Sequence, residues 1–214
     1  MLLLVGVGLA SWRSSLIKDH SEGEGILSRE GGYLAGNVMW VVFAVLIVVG
    51  TLFPVFVEAV RGFKTSVGPP FFNVFAIPIS LLLLLFMGLG PMLTWRRMSG
   101  EALWKVARWP ALLGIVASSV AVLFGIYGIG LVLTIGLSIF VVSGLLFVTF
   151  KAALERNRKK PFAAVSQLFA IHPRRYGAYL AHTGLVVLAL GIGVSSAYKR
   201  DQTLNLQIGQ AQMV

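Results

Sequence analysis

Long uncharged stretches dominate the pattern of hydrophobic and polar positions along the chain. They number four and are between 23 and 42 residues long. A helix needs about 20 apolar residues to cross the hydrocarbon core of a bilayer, so each stretch holds at least one span. The limits of the stretches are Glu30 and Glu58, Lys64 and Arg96, Arg108 and Lys151, and Arg175 and Lys199.

The longest stretch, between Arg108 and Lys151, is long enough for two spans. Tyr127-Gly128-Ile129-Gly130 near its middle indicates the turn that joins them. The predicted fold is therefore an all-α integral membrane protein, a helix bundle with five complete spans. These spans lie near residues 34–57, 74–95, 110–128, 131–150 and 176–198.

The two ends of the chain depart from this pattern. Residues 1–10 are apolar but cover only half of a span, and no basic residue precedes them as in a signal peptide. We interpret residues 1–11 as the end of a truncated N-terminal membrane helix and residues 12–198 as the five-span membrane domain. Apolar residues alternate with polar ones from Leu204 to Ile208, as in a strand. Residues 199–214 are thus predicted to begin an external, truncated β segment.

Composition supports a membrane protein and excludes several kinds of site. Hydrophobic residues make up 57% of the chain and charged residues 12%, against about 45–50% and 25% in soluble domains. This excludes a soluble globular domain and a disordered chain. Cysteine is absent, which excludes disulfides, thiolate catalysis and cysteine metal ligands. The three histidines are His20, His172 and His182.

The net charge of +10 would fit a nucleic-acid partner in a soluble protein. In a membrane protein, basic residues instead mark the loops on the cytoplasmic side. Fourteen of the 18 Lys and Arg residues lie in 12–33, 96–109 and 151–175, which are alternate loops of the predicted topology. We therefore predict that these three loops are cytoplasmic, that the C-terminus is periplasmic, and that no nucleic acid binds.

Besides the histidines, two motifs lie where a polar loop meets an apolar span. Pro69 and Pro70 predict an extended, rigid outer turn, and Phe71 and Phe72 follow at the membrane interface. This motif is either an aromatic belt or a ledge against which a flat apolar ligand or a partner helix packs. On the predicted cytoplasmic side, Ser28 could cap the first full span. The favoured interpretation of Ser28 is instead a cytoplasmic loop that leads into the span.

His182 is the strongest candidate for chemistry because an ionisable residue inside a span is costly. It faces away from Gly177, Gly184 and Gly191, a seven-residue repeat suited to close helix packing, and shares its own face with Ala178, Ala189 and Gly193. Arg175 lies two turns before it, about 10 Å along the axis. This spacing suits a haem with iron on His182 and propionates on Arg175. A hydrogen bond from His182 to a backbone carbonyl on a neighbouring helix is the alternative.

Several motifs together resemble the C-terminal half of the CcmF family, the membrane haem-lyase subunit of cytochrome c maturation. The resemblance covers nearly all of the chain. It is carried by Leu27-Ser28-Arg29-Glu30, Ser66-Val67-Gly68-Pro69-Pro70-Phe71-Phe72-Asn73, His172-Pro173-Arg174-Arg175-Tyr176-Gly177, Ala181-His182-Thr183-Gly184 and Ser195-Ser196-Ala197-Tyr198.

The resemblance implies a function at the cytoplasmic membrane. Proteins of the family receive haem from a haem chaperone and promote its covalent attachment to apocytochrome c, together with other maturation subunits. They also hold a haem b among their helices, and His182 matches one of its two axial histidines. The family's tryptophan-rich external segment, its flanking histidines and the second haem b histidine are absent, which implies a missing N-terminal half as partner.

Other functions remain open on the residues alone. A transporter or permease subunit would show repeats and helices broken at the midplane, but no repeat is visible and Pro54 and Pro91 lie toward span ends. A purely structural membrane anchor would not depend on His182. A paralogous haem lyase for nitrite-reductase maturation shares the same motifs.

Overall fold

The protein is described here by a computed structural model, which covers residue 12 and residues 27–64, 66–95 and 97–199. Across these residues the secondary structure is helical, without a strand. We number the helices in chain order. They are α1 (Arg29–Arg61), α2 (Pro69–Leu89), α3 (Gly100–Leu123), α4 (Ile129–Arg156), α5 (Pro161–Ile171) and α6 (Pro173–Tyr198), and a 3-10 turn (Gly90–Met92) directly follows α2.

Five of these helices are long and apolar enough to cross a membrane, which confirms the predicted number of complete spans. They are α1, α2 with its 3-10 turn, α3, α4 and α6. The predicted N-terminal span end (residues 1–11) and β segment (199–214) fall outside the described residues, apart from Lys199. Both therefore stay predictions.

Except for α2, the spanning helices are longer than the predicted spans, and local signals fix their ends. Ser28 caps α1, because its Oγ accepts a hydrogen bond from the backbone N–H of Gly31 at 2.9 Å. Gly62 ends the same helix with φ 72°, a left-handed conformation that glycine adopts at little cost. The helix α5, which the hydrophobic pattern did not predict, lies between α4 and α6.

The core of the bundle lies around α4, which packs against α2, α3, α5 and α6. Val141 on α4 is completely buried and lies in a cluster with Phe140, Leu84 of α2 and Val186 of α6. A second cluster forms where α4, α5 and the start of α6 meet, around Ala153, Ala164, Leu168 and Tyr176. Thus α4 holds α5 and the start of α6, the helix that carries His182, in place.

Glycines allow α3 and α4 to approach each other closely. A Cβ added to Gly114 of α3 would lie 2.6 Å from the carbonyl oxygen of Gly136 on α4, and one added to Gly136 would collide with the side chain of Ser118. Ser118 Oγ also donates a hydrogen bond across the interface to the carbonyl of Val132 at 3.2 Å. Small residues at a contact and hydroxyls that bond across it are typical of helix packing in membranes.

The first residue of α1 and the residues before it are joined to the loop after α2. The N–H of Arg29 donates to the carbonyl of Thr94 at 2.9 Å, and the N–H of Met98 donates to the carbonyl of Leu27 at 2.8 Å. The Arg29 guanidinium also lies 5.2 Å from the centre of the Trp95 ring, a cation–π distance. These contacts hold two loops of the same end of the bundle together.

Candidate functional site

His182 lies on α6 at the tenth residue of the helix, about 14 Å along the axis from its start. The side chain is partly exposed. Its Nδ1 lies 2.7 Å from the carbonyl oxygen of Ala178, one turn earlier. Because a carbonyl oxygen can only accept, this hydrogen bond requires that Nδ1 carry the proton and donate. The bond is made within α6, not to a neighbouring helix.

This hydrogen bond is compatible with metal binding as well. With the proton on Nδ1, the neutral ring keeps a lone pair on Nε2. Histidines that bind metals usually donate the other ring N–H to a carbonyl or carboxylate, which fixes the ring's orientation. In that tautomer, the Ala178 carbonyl orients the His182 ring and Nε2 can bind a metal ion.

The surroundings of His182 are less open than the spacing of small residues predicted. Ala178 is exposed, and Ala189 is half-buried. Gly193, however, packs against α4, since a Cβ added there would lie 3.2 Å from Leu131 Cδ1. Of the three small residues on this face, Ala178 is thus exposed, whereas Gly193 is in contact with α4.

Arg175 is held by two tyrosines. Its Nε donates to the hydroxyl oxygen of Tyr179 at 3.0 Å. Its guanidinium carbon lies 5.8 Å from the centre of the Tyr176 ring and 5.7 Å from that of Tyr179. Tyr176 is 1% exposed and stacks on Phe169 of α5 at 4.9 Å between ring centres. The two tyrosines hold Arg175 on the edge of α6 that also carries His182.

Sequence reasoning missed Tyr179, although the signal was present. Tyr179 lies four residues after Arg175 and three before His182, so the three side chains share one helix face. The predicted contact of Arg175 with a propionate omitted this residue. The structure brings Tyr179 between the two predicted site residues, where it contacts Arg175 directly.

The other histidines do not join His182. His172 lies at the junction of α5 and α6, about 15 Å from His182 along the helix axis. His20 lies outside the described residues. In the ranges that the structure describes, His, Cys, Asp and Glu form no group of three or more that could hold a metal ion. His182 would therefore supply a single ligand.

The glycine repeat on α6 has no partner helix in the described chain. A Cβ added to Gly177, Gly184 or Gly191 meets no atom within 4 Å. The opposite face of α6 packs on α4 instead, through residues that include Val186 and Gly193. The expected close packing on the glycine face is thus not made by the residues described here.

The Pro-Pro-Phe-Phe motif is helical, so the predicted extended backbone is wrong. Pro69 and Pro70 are the first residues of α2, and Gly68 before them is extended. Proline is favoured in the first helical turn because its missing N–H and fixed φ fit that position. The outer turn is therefore shorter than predicted, and the two phenylalanines project from the first turn of the helix.

Phe71 and Phe72 attach α2 to α1. A Cβ added to Gly50 of α1 would lie 2.7 Å from Phe72 Cε1 and 3.1 Å from Phe71 Cε1, so both rings fill the notch that this glycine leaves. Phe71 also makes edge-to-face contacts with Phe72 and Phe75, each at 5.5 Å between ring centres. The motif thus packs α2 on α1 at Gly50, and its predicted place at the membrane interface stays a prediction.

We expect Phe72→Ala to lower the free energy of unfolding by about 1–3 kcal/mol, because it removes a half-buried ring from the notch at Gly50. Phe162→Ala is the matched control, since the Phe162 side chain is 81% exposed. The measurement is thermal unfolding of the two variants in detergent. Equal melting temperatures for both variants would contradict the assigned contact.

Comparison with known proteins gives relatives over almost the whole chain. The chain is 30% identical over 214 residues to the cytochrome c-type biogenesis protein CcmF of Pseudomonas fluorescens, covering 99% of this chain and 31% of the relative. It is 35% identical over 188 residues to the cytochrome c-type biogenesis protein CycK of Bradyrhizobium diazoefficiens, covering 82% and 26%. The chain is homologous to the CcmF and CycK proteins.

The similarity extends to CcmF of Escherichia coli, at 25% identity over 228 residues, with 99% of this chain and 31% of the relative covered. The chain thus spans about a third of the length of the curated CcmF and CycK proteins that it matches. No protein-family profile matches the chain. No solved structure matches it with significance.

Proposed function

We propose that this chain is a membrane component of cytochrome c maturation that binds haem b through His182. The observation that carries the proposal is the Nδ1–H bond from His182 to the Ala178 carbonyl, which leaves Nε2 available inside a membrane-spanning helix. The process comes from the relatives, which are cytochrome c-type biogenesis proteins.

In this proposal, each residue of the site has a separate task. His182 Nε2 would bind the haem iron, with the ring held in place by the Ala178 carbonyl. Arg175, oriented by the Tyr179 hydroxyl, pairs with a propionate. A bound haem b would supply a one-electron redox centre within the membrane. Among the described histidines, His172 lies too far along α6 to join His182, and a partner would supply a second ligand.

The wider process belongs to the same proposal. The chain acts with a haem chaperone, apocytochrome c and the other maturation subunits, including a partner that corresponds to the part of the relatives not matched here. Together they attach haem covalently to the apocytochrome. The location is the cytoplasmic (inner) membrane, with the C-terminus on the periplasmic side.

Deleting the gene for this chain from its host tests the function. We expect membranes that keep apocytochrome c but lose covalently bound haem, detected by haem staining of denaturing gels. Return of the unaltered gene restores the stain. A deletion strain with normal haem-stained cytochromes would contradict a role in maturation.

The orientation has its own test, because the chain contains no cysteine. Single cysteines at Ser21 and Lys159 are expected to resist an impermeant thiol reagent in intact cells, since the positive-inside asymmetry makes both cytoplasmic. A cysteine at Tyr127, between α3 and α4, is the control and should react. Efficient labelling at position 21 or 159 would reverse the proposed topology.

A further inference from the structure

The short helix α5 has two open sides of different chemistry in addition to its buried face. Ala164 and Leu168 form the buried face, in the cluster that α5 shares with α4 and α6. Phe162 and Phe169 lie two turns apart and project within about 20° of each other, on one open side. Their side chains are 81% and 44% exposed. Gln167 is exposed at least about 140° around the helix from both rings. The open surface of α5 therefore has an aromatic side and a polar side.

The aromatic side of α5 continues the outer surface of a membrane-spanning helix. Leu146 and Phe150, about one turn apart on α4, are 64% and 42% exposed. The Phe162 ring centre lies 6.1 Å from that of Phe150. Phe150 is also the last residue of the uncharged stretch of α4, because Lys151 follows it. Since the uncharged part of a span occupies the hydrocarbon core, Phe162 lies at the depth where hydrocarbon gives way to headgroups.

The length of α5 agrees with a place at this boundary. The helix has 11 residues and is about 16 Å long. A span needs about 20 residues, so α5 does not cross the bilayer. Short helices with aromatic residues on one side and polar residues on another bind at the surface of a bilayer, with the apolar side inserted by about 5–10 Å.

Three basic residues, Arg158, Lys159 and Lys160, are exposed directly before α5. Asn157 Oδ1 accepts hydrogen bonds from the backbone N–H groups of Lys159 and Lys160 at 3.1 and 3.2 Å, which folds the loop into a turn. Within the described part of the chain, no residue forms a salt bridge or a side-chain hydrogen bond with these three side chains. The sequence between positions 156 and 175 contains no Asp or Glu. The turn thus places three positive charges beside the aromatic side of α5.

We propose that α5 and the turn before it form an anchor that binds an anionic lipid surface. Phe162 and Phe169 insert at the edge of the hydrocarbon core. Arg158, Lys159 and Lys160 contact the phosphates of the headgroups, because basic residues beside a span are attracted to acidic lipids. The anchor is independent of the haem site and does not involve His182.

A protein partner is the other possible occupant of this surface, and two observations favour lipid. The first is continuity, since Phe162 contacts Phe150 on the outside of a spanning helix. The second is the order of the chemistry. Apolar rings lie next to the end of the uncharged stretch of α4, and the positive charges lie beyond it in the loop. A leaflet offers hydrocarbon and then phosphate in the same order.

Spin labels can locate the two sides of α5, because the chain contains no cysteine. Phe162→Cys and Gln167→Cys are labelled in the full chain, which is reconstituted without haem in liposomes of palmitoyl-oleoyl-phosphatidylcholine and phosphatidylglycerol. Electron paramagnetic resonance then measures the collision rate of each label with oxygen, which concentrates in hydrocarbon, and with a water-soluble nickel complex. We expect the oxygen-to-nickel ratio to be about tenfold higher at position 162 than at position 167, the polar-side control.

The lipid composition tests the role of charge. Omitting phosphatidylglycerol should lower the oxygen-to-nickel ratio at position 162 by about twofold, because the headgroup attraction is lost. Combined Arg158→Gln, Lys159→Gln and Lys160→Gln should abolish this response to phosphatidylglycerol. The control, which removes the same number of charges from α3 and the loop before it, should keep the response. It combines Arg97→Gln, Lys105→Gln and Arg108→Gln.

Three results would overturn the proposal. Nickel access at position 162 equal to that at position 167 would place the aromatic side in water. Low collision rates with both reagents at position 162 would show that protein covers this side, and in the purified sample that protein is a second copy of the chain. An unchanged response to phosphatidylglycerol in the triple glutamine variant of the turn would remove the assigned headgroup contacts. Because no haem is present in these liposomes, each result is separate from the test of His182.

Discussion

Gly114→Val is expected to force α3 away from α4. It should lower the free energy of unfolding by about 1–3 kcal/mol, the usual range for overpacking. The new Cβ would lie 2.6 Å from the carbonyl oxygen of Gly136 and 3.3 Å from Phe140 Cβ. The first contact is with backbone, which cannot rotate aside as a flexible side chain can. Because α4 carries the core, the shift reaches α2 and α6.

Thermal unfolding in detergent measures this effect. Gly184→Val is the control, because it makes the same substitution within a helix at a position where a Cβ meets nothing within 4 Å. The two variants change helix propensity equally, so their difference reports packing. A melting temperature of Gly114→Val as high as that of Gly184→Val would show that α3 and α4 do not meet at these glycines.

The number of spanning helices could be predicted because crossing a bilayer imposes a minimum apolar length. The short helix α5 escaped this criterion, since Pro161–Ile171 has 11 residues. Its signal was nevertheless present. Pro161 occupies the first turn, and Ala164 and Leu168, four residues apart, form the face that is buried against α4 and α6.

Which helices touch could not be predicted, because this depends on pairs of positions distant in sequence. Gly50 matters for packing because Phe72, which is distant in sequence, lies against it. Gly114 matters because it lies opposite Gly136 of another helix. For one periodic face, the described residues supply no partner. Gly177, Gly184 and Gly191 recur as in a packed helix face, yet α6 packs on α4 through the opposite side.

The candidate site was predictable where it depends on one helix. The position of His182 within a span and its distance from Arg175 follow from helical geometry. The Tyr179 hydroxyl on Arg175 was accessible to the same reasoning and was missed. The packing of Gly193 against Leu131 was not accessible, since it requires the register of α6 on α4.

His182→Ala is expected to abolish haem b binding, because no other described histidine lies near enough to replace it. His172 provides the control substitution, because it lies about 15 Å from His182 along the helix axis. His172→Ala should keep the haem. Arg175→Ala should weaken its retention without removing it, since the axial bond survives the loss of one propionate partner. Maturation of cytochrome c should fall most in His182→Ala, less in Arg175→Ala and least in His172→Ala.

The most direct measurement is the reduced-minus-oxidised absorption spectrum of the protein purified with its native partners from host membranes. The account predicts b-type bands in the unaltered protein and in His172→Ala, and their loss in His182→Ala. Unchanged b-type bands in His182→Ala would contradict the assignment of His182 as an axial ligand. Bands lost in His172→Ala but present in His182→Ala would transfer the haem to the other histidine.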